Sequence, residues 1–145
     1  MRTSRFAALL AGLWAGVMLC IGLLAAPAGF ALTAPEIAGR IAGRLFSSEA
    51  YLSLAMCVLL FALLRGEAAR RAEAGAGSLF SADLVLVVAA LFCTVAGYFG
   101  IQPMMAAARA GEGAWSFGAL HAASSVLFGV KGLVVLALAW RLTRR

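Results

Sequence analysis

Residues 117–140 read FGALHAASSVLFGVKGLVVLALAW, a run of 24 residues in which His121 and Lys131 are the only ionisable side chains. A bilayer core about 30 Å thick is crossed by about 20 residues of mostly apolar helix. The run is long enough to cross, and three other stretches share its character. The four spans are expected at approximately 6–30, 49–65, 82–101 and 116–140, forming a single four-span domain over residues 1–145. Each is continuously apolar and rich in Ala and Leu, without the alternation of a membrane barrel. The expected fold is an all-α integral membrane protein, a four-helix antiparallel bundle with short interfacial helices in its outer connections.

Composition leads to the same place. Of 145 residues, 64% are hydrophobic and 12% charged, whereas soluble domains run about 45–50% apolar and about 25% charged. A chain this small leaves much of its surface in contact with solvent, so the apolar excess calls for lipid. An ordinary soluble enzyme, a disordered tail and a disulfide scaffold are excluded. The net charge of +6 reads as topology rather than nucleic-acid binding. With four spans, both termini and the middle loop share one side. That side carries Arg2, Arg5, Arg65, Arg70, Arg71, Arg141, Arg144 and Arg145. The other carries Arg40, Arg44 and Arg109, and Lys131 lies within the membrane. The positive-inside rule then places both termini in the cytoplasm of a bacterial inner-membrane protein. Phe6, Phe80 and Trp140 would anchor the inner edge, and Phe30, Tyr51, Tyr98 and Trp115 the outer one. The apolar run from Phe6 exceeds the roughly 7–15 residues of a signal-peptide core, so the first span is expected to stay uncleaved.

The outer connections carry helix signals. Thr33-Ala34-Pro35-Glu36 reads as a capping box with Pro in the first turn. Glu36, Arg40 and Arg44 follow at i, i+4, i+8 and predict charge pairing. Gln102-Pro103 starts a second short helix, broken at Gly111-Glu112-Gly113. Gly75-Ala76-Gly77 reads as a hinge in the inner loop.

Helices in lipid approach closely through small residues. The predicted seams are Ala8, Gly12, Gly16 and Cys20 in the first span, then Ala89, Cys93 and Gly97 in the third. In the fourth span Gly118 pairs with Ala122, and Ser125 with Gly129. Internal packing is the plain expectation for these seams; a homodimer through one of them is the alternative.

The chemistry-bearing residues cluster on the fourth span. His121, Ser124, Ser125, Phe128, Lys131 and Gly132 fall within about 80° on a helical wheel. Lys131 lies about 15 Å from Arg141 by helical rise, too far to reach the inner surface by snorkelling. A charge at that depth faces the bundle interior and has a partner. Glu49 and Asp83 are read as lying at the ends of spans, so carbonyls, water or Asp83 are the expected neighbours of Lys131. Cys20, Cys57 and Cys93 form no CxxC pair and read as buried packing residues; a soft-metal site using cysteine and methionine is the alternative. Met104 and Met105 with His121 form a second loose possibility. No metal or cofactor site is assigned. The sequence has no Walker loop, no HExxH and no paired carboxylates in one span. Ser124 and Ser125 beside His121 lack an acidic orienter. No enzymatic activity is expected.

Leu13-Trp14-Ala15-Gly16, the stretch Ala38-Gly39-Arg40-Ile41-Ala42-Gly43-Arg44-Leu45-Phe46, Gln102-Pro103 with its Ala-rich helix, and His121-Ala122-Ala123-Ser124-Ser125 together resemble the transmembrane protein 205-like family, domain of unknown function 4149. The resemblance implies a four-helix membrane protein. It gives weight to Trp14, Gly16, Gly39, Phe46, Pro103, His121, Ser124 and Ser125. Ser47 stands where the family often has Pro, and Ala122 where it often has Gly; Lys131 lies outside the pattern. Two functional readings follow. One is a structural or accessory membrane protein whose polar face around His121 binds a membrane-protein partner or small ligand. The other is a small transporter handling an ion or soft metal.

Overall fold

In a computed structural model, which describes residues 2–75 and 81–144 (of Arg2 the backbone only), four long helices form an up-down bundle. The spans are Thr3–Leu32, Pro35–Glu73, Ala82–Arg109 and Phe117–Thr143. Each packs on two neighbours in the cyclic order first, second, third, fourth. Antiparallel register shows in the contacts between neighbours. Tyr98 donates to Ser47 and the Cys57 thiol points at the Val87 carbonyl between the second and third spans. Arg141 pairs with Asp83 between the third and fourth.

The second and third spans differ from the sequence reading. The interfacial helix expected at Pro35 is continuous with the second span, giving one helix of 39 residues. Nothing between Leu45 and Glu49 breaks it, since serines weaken a helix by only a fraction of a kcal/mol. Ala34 is the N-cap, without a side-chain bond, and Pro35 follows it. Thr33 instead caps the helix behind it, donating its hydroxyl to the Gly29 carbonyl at 2.8 Å. Pro35 drives Ala34 into an extended conformation, and no capping box forms. Among the described residues Glu36, Arg40 and Arg44 make no ion pair. Tyr51 lies only two residues beyond Glu49, deep in this helix, and packs edge-to-face on Tyr98 and Phe99 rather than marking the membrane edge.

The helix expected at Gln102-Pro103 likewise continues the third span. A π-helical segment, Val95–Gly100, joins the two parts. The first span has the same device, with Cys20–Ala25 in π geometry just before Pro27. A proline inside a helix clashes with the carbonyl four residues back. Those positions are Leu23 and Phe99, and both lie within the π segments, where the wider turn relieves the clash.

Helix ends follow ordinary capping rules. Ser81 and Ser116 cap the third and fourth spans, accepting from the amides of Leu84 and Ala119. After Arg109 the chain closes a Schellman turn, with Glu112 N–H on Ala107 O and Gly111 N–H on Ala108 O. The positive φ of 78° at Gly111 is what this turn requires. Gly75 also takes a positive φ, of 70°; Ala76 and Gly77 of the expected hinge, and Phe80 and Arg145, lie outside the described residues.

The half of the bundle near the termini is packed solid by Ala7, Ala11, Trp14, Met18, Leu60, Leu64, Val87 and Leu138. Gly97 is in the core as expected, with Leu127 Cβ 3.3 Å from where its Cβ would be. Gly12, Gly16 and Gly129 are exposed, and a Cβ on any of them would meet nothing within 4 Å. The first span turns its Ala7, Ala11, Trp14, Ala15 and Met18 face inward instead. Burying the Trp14 ring rotates the GxxxG face outward.

Candidate functional site

Fourteen residues separate Pro35 from Glu49, and fourteen separate Phe117 from Lys131. At 1.5 Å per residue both side chains lie about 21 Å inside their helices, at matching depth in two helices that run parallel across the bundle's diagonal. They meet there. Lys131 Nζ lies 2.9 and 2.7 Å from the two oxygens of Glu49 and 3.2 Å from Ser53 Oγ. Glu49, Ser53 and Lys131 are all at least 97% buried. Lys131 thus has a partner, as its depth required, but the partner is Glu49. Hydropathy first rises at Glu49, which makes it read as the end of a span when it lies well inside the helix.

The bonding in this cluster is complete. An ammonium has three donors, and all three of Lys131 are used. The Ser53 hydroxyl donates to Glu49 Oε1 at 2.5 Å and accepts from Lys131 and from the Trp14 indole N–H at 3.0 Å. One donor and two lone pairs are thereby filled. Three spans supply the group: Trp14 from the first, Glu49 and Ser53 from the second, Lys131 from the fourth. Such closure is what makes an ion pair tolerable in a low-dielectric interior.

Above this floor the bundle opens into a cavity of about 590 Å³. It exists because small residues face one another there: Gly22 in the first span, Gly39, Ala42, Gly43 and Ala50 in the second, Gly97 in the third. Glu49 and Lys131 line its inner end. Phe30, Pro35, Arg109 and Phe117, all at or near helix ends, line its mouth. Phe128 crosses the interior edge-to-face against Phe46, with ring centroids 5.1 Å apart. The Lys131 ammonium sits 5.2 Å from the Phe128 centroid. Gly22 has to be small here, because Phe128 Cε1 lies 3.0 Å from where its Cβ would be.

The structure brings the expected polar face together. His121, Ser124, Ser125 and Lys131 all line the cavity. Their hydroxyls are turned to the backbone: Ser125 donates to His121 O at 2.8 Å and Ser124 to Gly97 O at 3.4 Å. His121 stacks on Phe117, and Arg109 lies over the same Phe117 ring, 4.5 Å from its centroid. Of the residues weighted by the family resemblance, Trp14 holds the floor, Gly39 and Phe46 line the wall, and Pro103 follows the π segment of the third span. Sequence reasoning passed over Glu49, Ser53, Arg109 and Phe117. The i, i+4 spacing of Glu49 and Ser53 was the available signal.

The cysteines do not gather. Cys57 and Cys93 are buried while Cys20 is exposed. Among the described residues no group of three His, Cys, Asp or Glu side chains could hold a metal ion. Met105 lines the cavity with His121, whereas Met104 faces away from it.

No curated protein and no solved structure matches the chain. A family model matches residues 9–114, a stretch that includes Trp14, Glu49, Ser53 and Arg109 and ends before the fourth span with His121 and Lys131. The match covers most of the chain, which therefore belongs to the family described as Domain of unknown function (DUF4149).

Proposed function

We propose that this membrane protein is a non-enzymatic binding protein whose intramembrane cavity takes a small amphipathic ligand. The observation that carries the reading is the cavity itself, with aromatic and small apolar walls, a closed ion-pair floor and a few polar groups at its mouth. Ligand sites are typically concave, mostly apolar and about 300–1,000 Å³, with a small number of polar groups that fix orientation. The non-enzymatic part of the reading draws support from the hydroxyls: Ser124, Ser125 and Thr94 all donate to backbone carbonyls, and among the described residues none is paired with the His121 ring as a nucleophile would be with its base.

An apolar, environment-sensitive dye should bind the full-length protein saturably in lipid nanodiscs, at one per chain after subtraction of empty discs. Gly43→Phe, which fills the cavity wall, should abolish that component. Gly12→Phe, on the exposed face, should leave it intact. Equal binding by all three proteins would remove the cavity from consideration. A second reading, transport, draws support from Lys131 lining the cavity rather than facing lipid; dye delivered across sealed vesicles by wild type and not by Gly43→Phe would favour it.

The proposal places the protein in a bacterial inner membrane with both termini cytoplasmic. It is supported by the eight arginines on the side of the termini against three on the other, the bias that positive-inside orientation follows. The cavity mouth then faces the periplasm. A C-terminal reporter active only in the cytoplasm should give signal; signal from a periplasm-specific reporter instead would reverse the orientation.

A further inference from the structure

Resting on the cavity-binding reading, we infer that the ligand is a single-chain amphipathic anion, held head-first by Arg109 and His121 at the Phe117 rim, with its apolar body directed inward past Phe46 and Phe128. The charge inventory decides the sign. Four lining residues carry acid or basic side chains beyond thiols and phenols: Glu49, Lys131, Arg109 and His121. Glu49 and Lys131 neutralise each other at 2.7 Å. Arg109 therefore leaves the lining with one net positive charge, before any contribution from His121.

The donor inventory decides the place. Every N–H of Lys131 is used, the hydroxyls of Ser124, Ser125 and Thr94 are spent on carbonyls and that of Tyr98 on Ser47; the Gln102 amide is a further neutral donor in the lining. Arg109 and His121 make no ion pair among the described residues. Among the described residues their ring and cation–π contacts are with Phe117. A guanidinium offers five N–H donors and a neutral imidazole one. The shared contact with Phe117 gathers both at one edge of the mouth. The same edge is the N-terminus of the 27-residue helix Phe117–Thr143, whose dipole favours negative charge. A cationic head would meet Arg109 with no free carboxylate to offset it. A volume of about 590 Å³ falls in the range for drug-sized ligands, which favours one chain over a diacyl lipid.

Equilibrium binding to full-length protein in phosphatidylcholine nanodiscs tests this, using radiolabelled dodecanoate, dodecyl phosphate and dodecyltrimethylammonium with empty discs subtracted. Either or both anions should bind saturably at one per chain and displace the apolar dye; the ammonium should do neither. Arg109→Ala should weaken the anion by about 10–100-fold, the range of one charge-assisted hydrogen bond, with Arg109→Lys retaining part. His121→Ala should weaken it less. Both variants should still bind the dye saturably at one per chain, which reports that they fold. Dodecanoate alone would identify a carboxylate ligand, dodecyl phosphate alone a phosphate. Displacement by equimolar diacyl phosphatidylglycerol would overturn the single-chain assignment. Equal binding of the ammonium, or an unchanged anion affinity in Arg109→Ala, would overturn the inference while dye binding upheld the cavity. Failure of dye and amphiphiles alike would remove both.

Discussion

Lys131→Met is expected to destabilise the bundle by about 3–5 kcal/mol, the cost of leaving one member of a buried ion pair without the other. The substitution keeps most of the side-chain volume and removes only the ammonium. Glu49, 2% exposed, would keep the Ser53 hydroxyl and lose both short contacts to nitrogen. It must then either hold a bare charge in the interior or take up a proton, and both cost free energy. Glu49→Met should be equally damaging for the opposite reason, stranding the ammonium. The double variant Glu49→Met/Lys131→Met should recover most of the loss, because replacing a whole buried pair by apolar groups is often neutral or better. In that variant Ser53 still accepts from Trp14 and can donate to the carbonyl four residues back. Reversible unfolding by a denaturing detergent in mixed micelles, followed by helical circular dichroism, measures all four proteins. Additive losses in the double variant would mean that the two side chains act independently and that the pair does not close.

The ion pair also shows where sequence reasoning stops. The four spans were legible because a helix must be long and apolar to cross lipid, and length is written in the chain. Lys131 was legible as an interior charge because its stem is too short to reach either surface. Glu49 was not. Its place depends on how far the second helix extends before the apolar run begins, and hydropathy does not report helix continuity. Between Pro35 and Glu73 no residue strongly opposes a helix, so it runs unbroken. The glycines show the complementary limit. Gly12 and Gly16 have the spacing of a packing seam, but which face turns inward depends on where the Trp14 indole finds its acceptor. Ser53 supplies that acceptor from another helix, a relation that one span's pattern does not contain. His121, Ser124, Ser125 and Lys131 could be placed together because they share one helix. Phe117 opens that helix four residues before His121; Arg109 joins them only through the connection that brings the third and fourth spans side by side.

Trp14 provides the second large effect, and its two substitutions separate packing from bonding. Trp14 is fully buried, and Trp14→Ala leaves both a void and an unfilled lone pair on Ser53. Large-to-small changes at aromatic core sites cost about 3–5 kcal/mol in water-soluble proteins. In a bilayer the separated helices are already in an apolar medium, so the transfer part of that figure shrinks and the lost dispersion contacts remain. The expected loss is therefore near the lower end, about 3 kcal/mol. Trp14→Phe keeps much of the ring packing and removes the N–H, and should cost about 1–2 kcal/mol, the range for an acceptor left short in a buried network. Trp14→Phe should leave dye binding unchanged, since Trp14 supports the floor from below and does not line the cavity. Combined with the Glu49→Met/Lys131→Met pair, Trp14→Phe should cost less than it does alone. Ser53 then has no ion pair to hold in place, and its hydroxyl can donate to the carbonyl four residues back. That non-additivity, measured as a triple-variant cycle in the same unfolding assay, is the signature of one connected network. Strict additivity would instead make the indole a packing residue whose hydrogen bond is incidental.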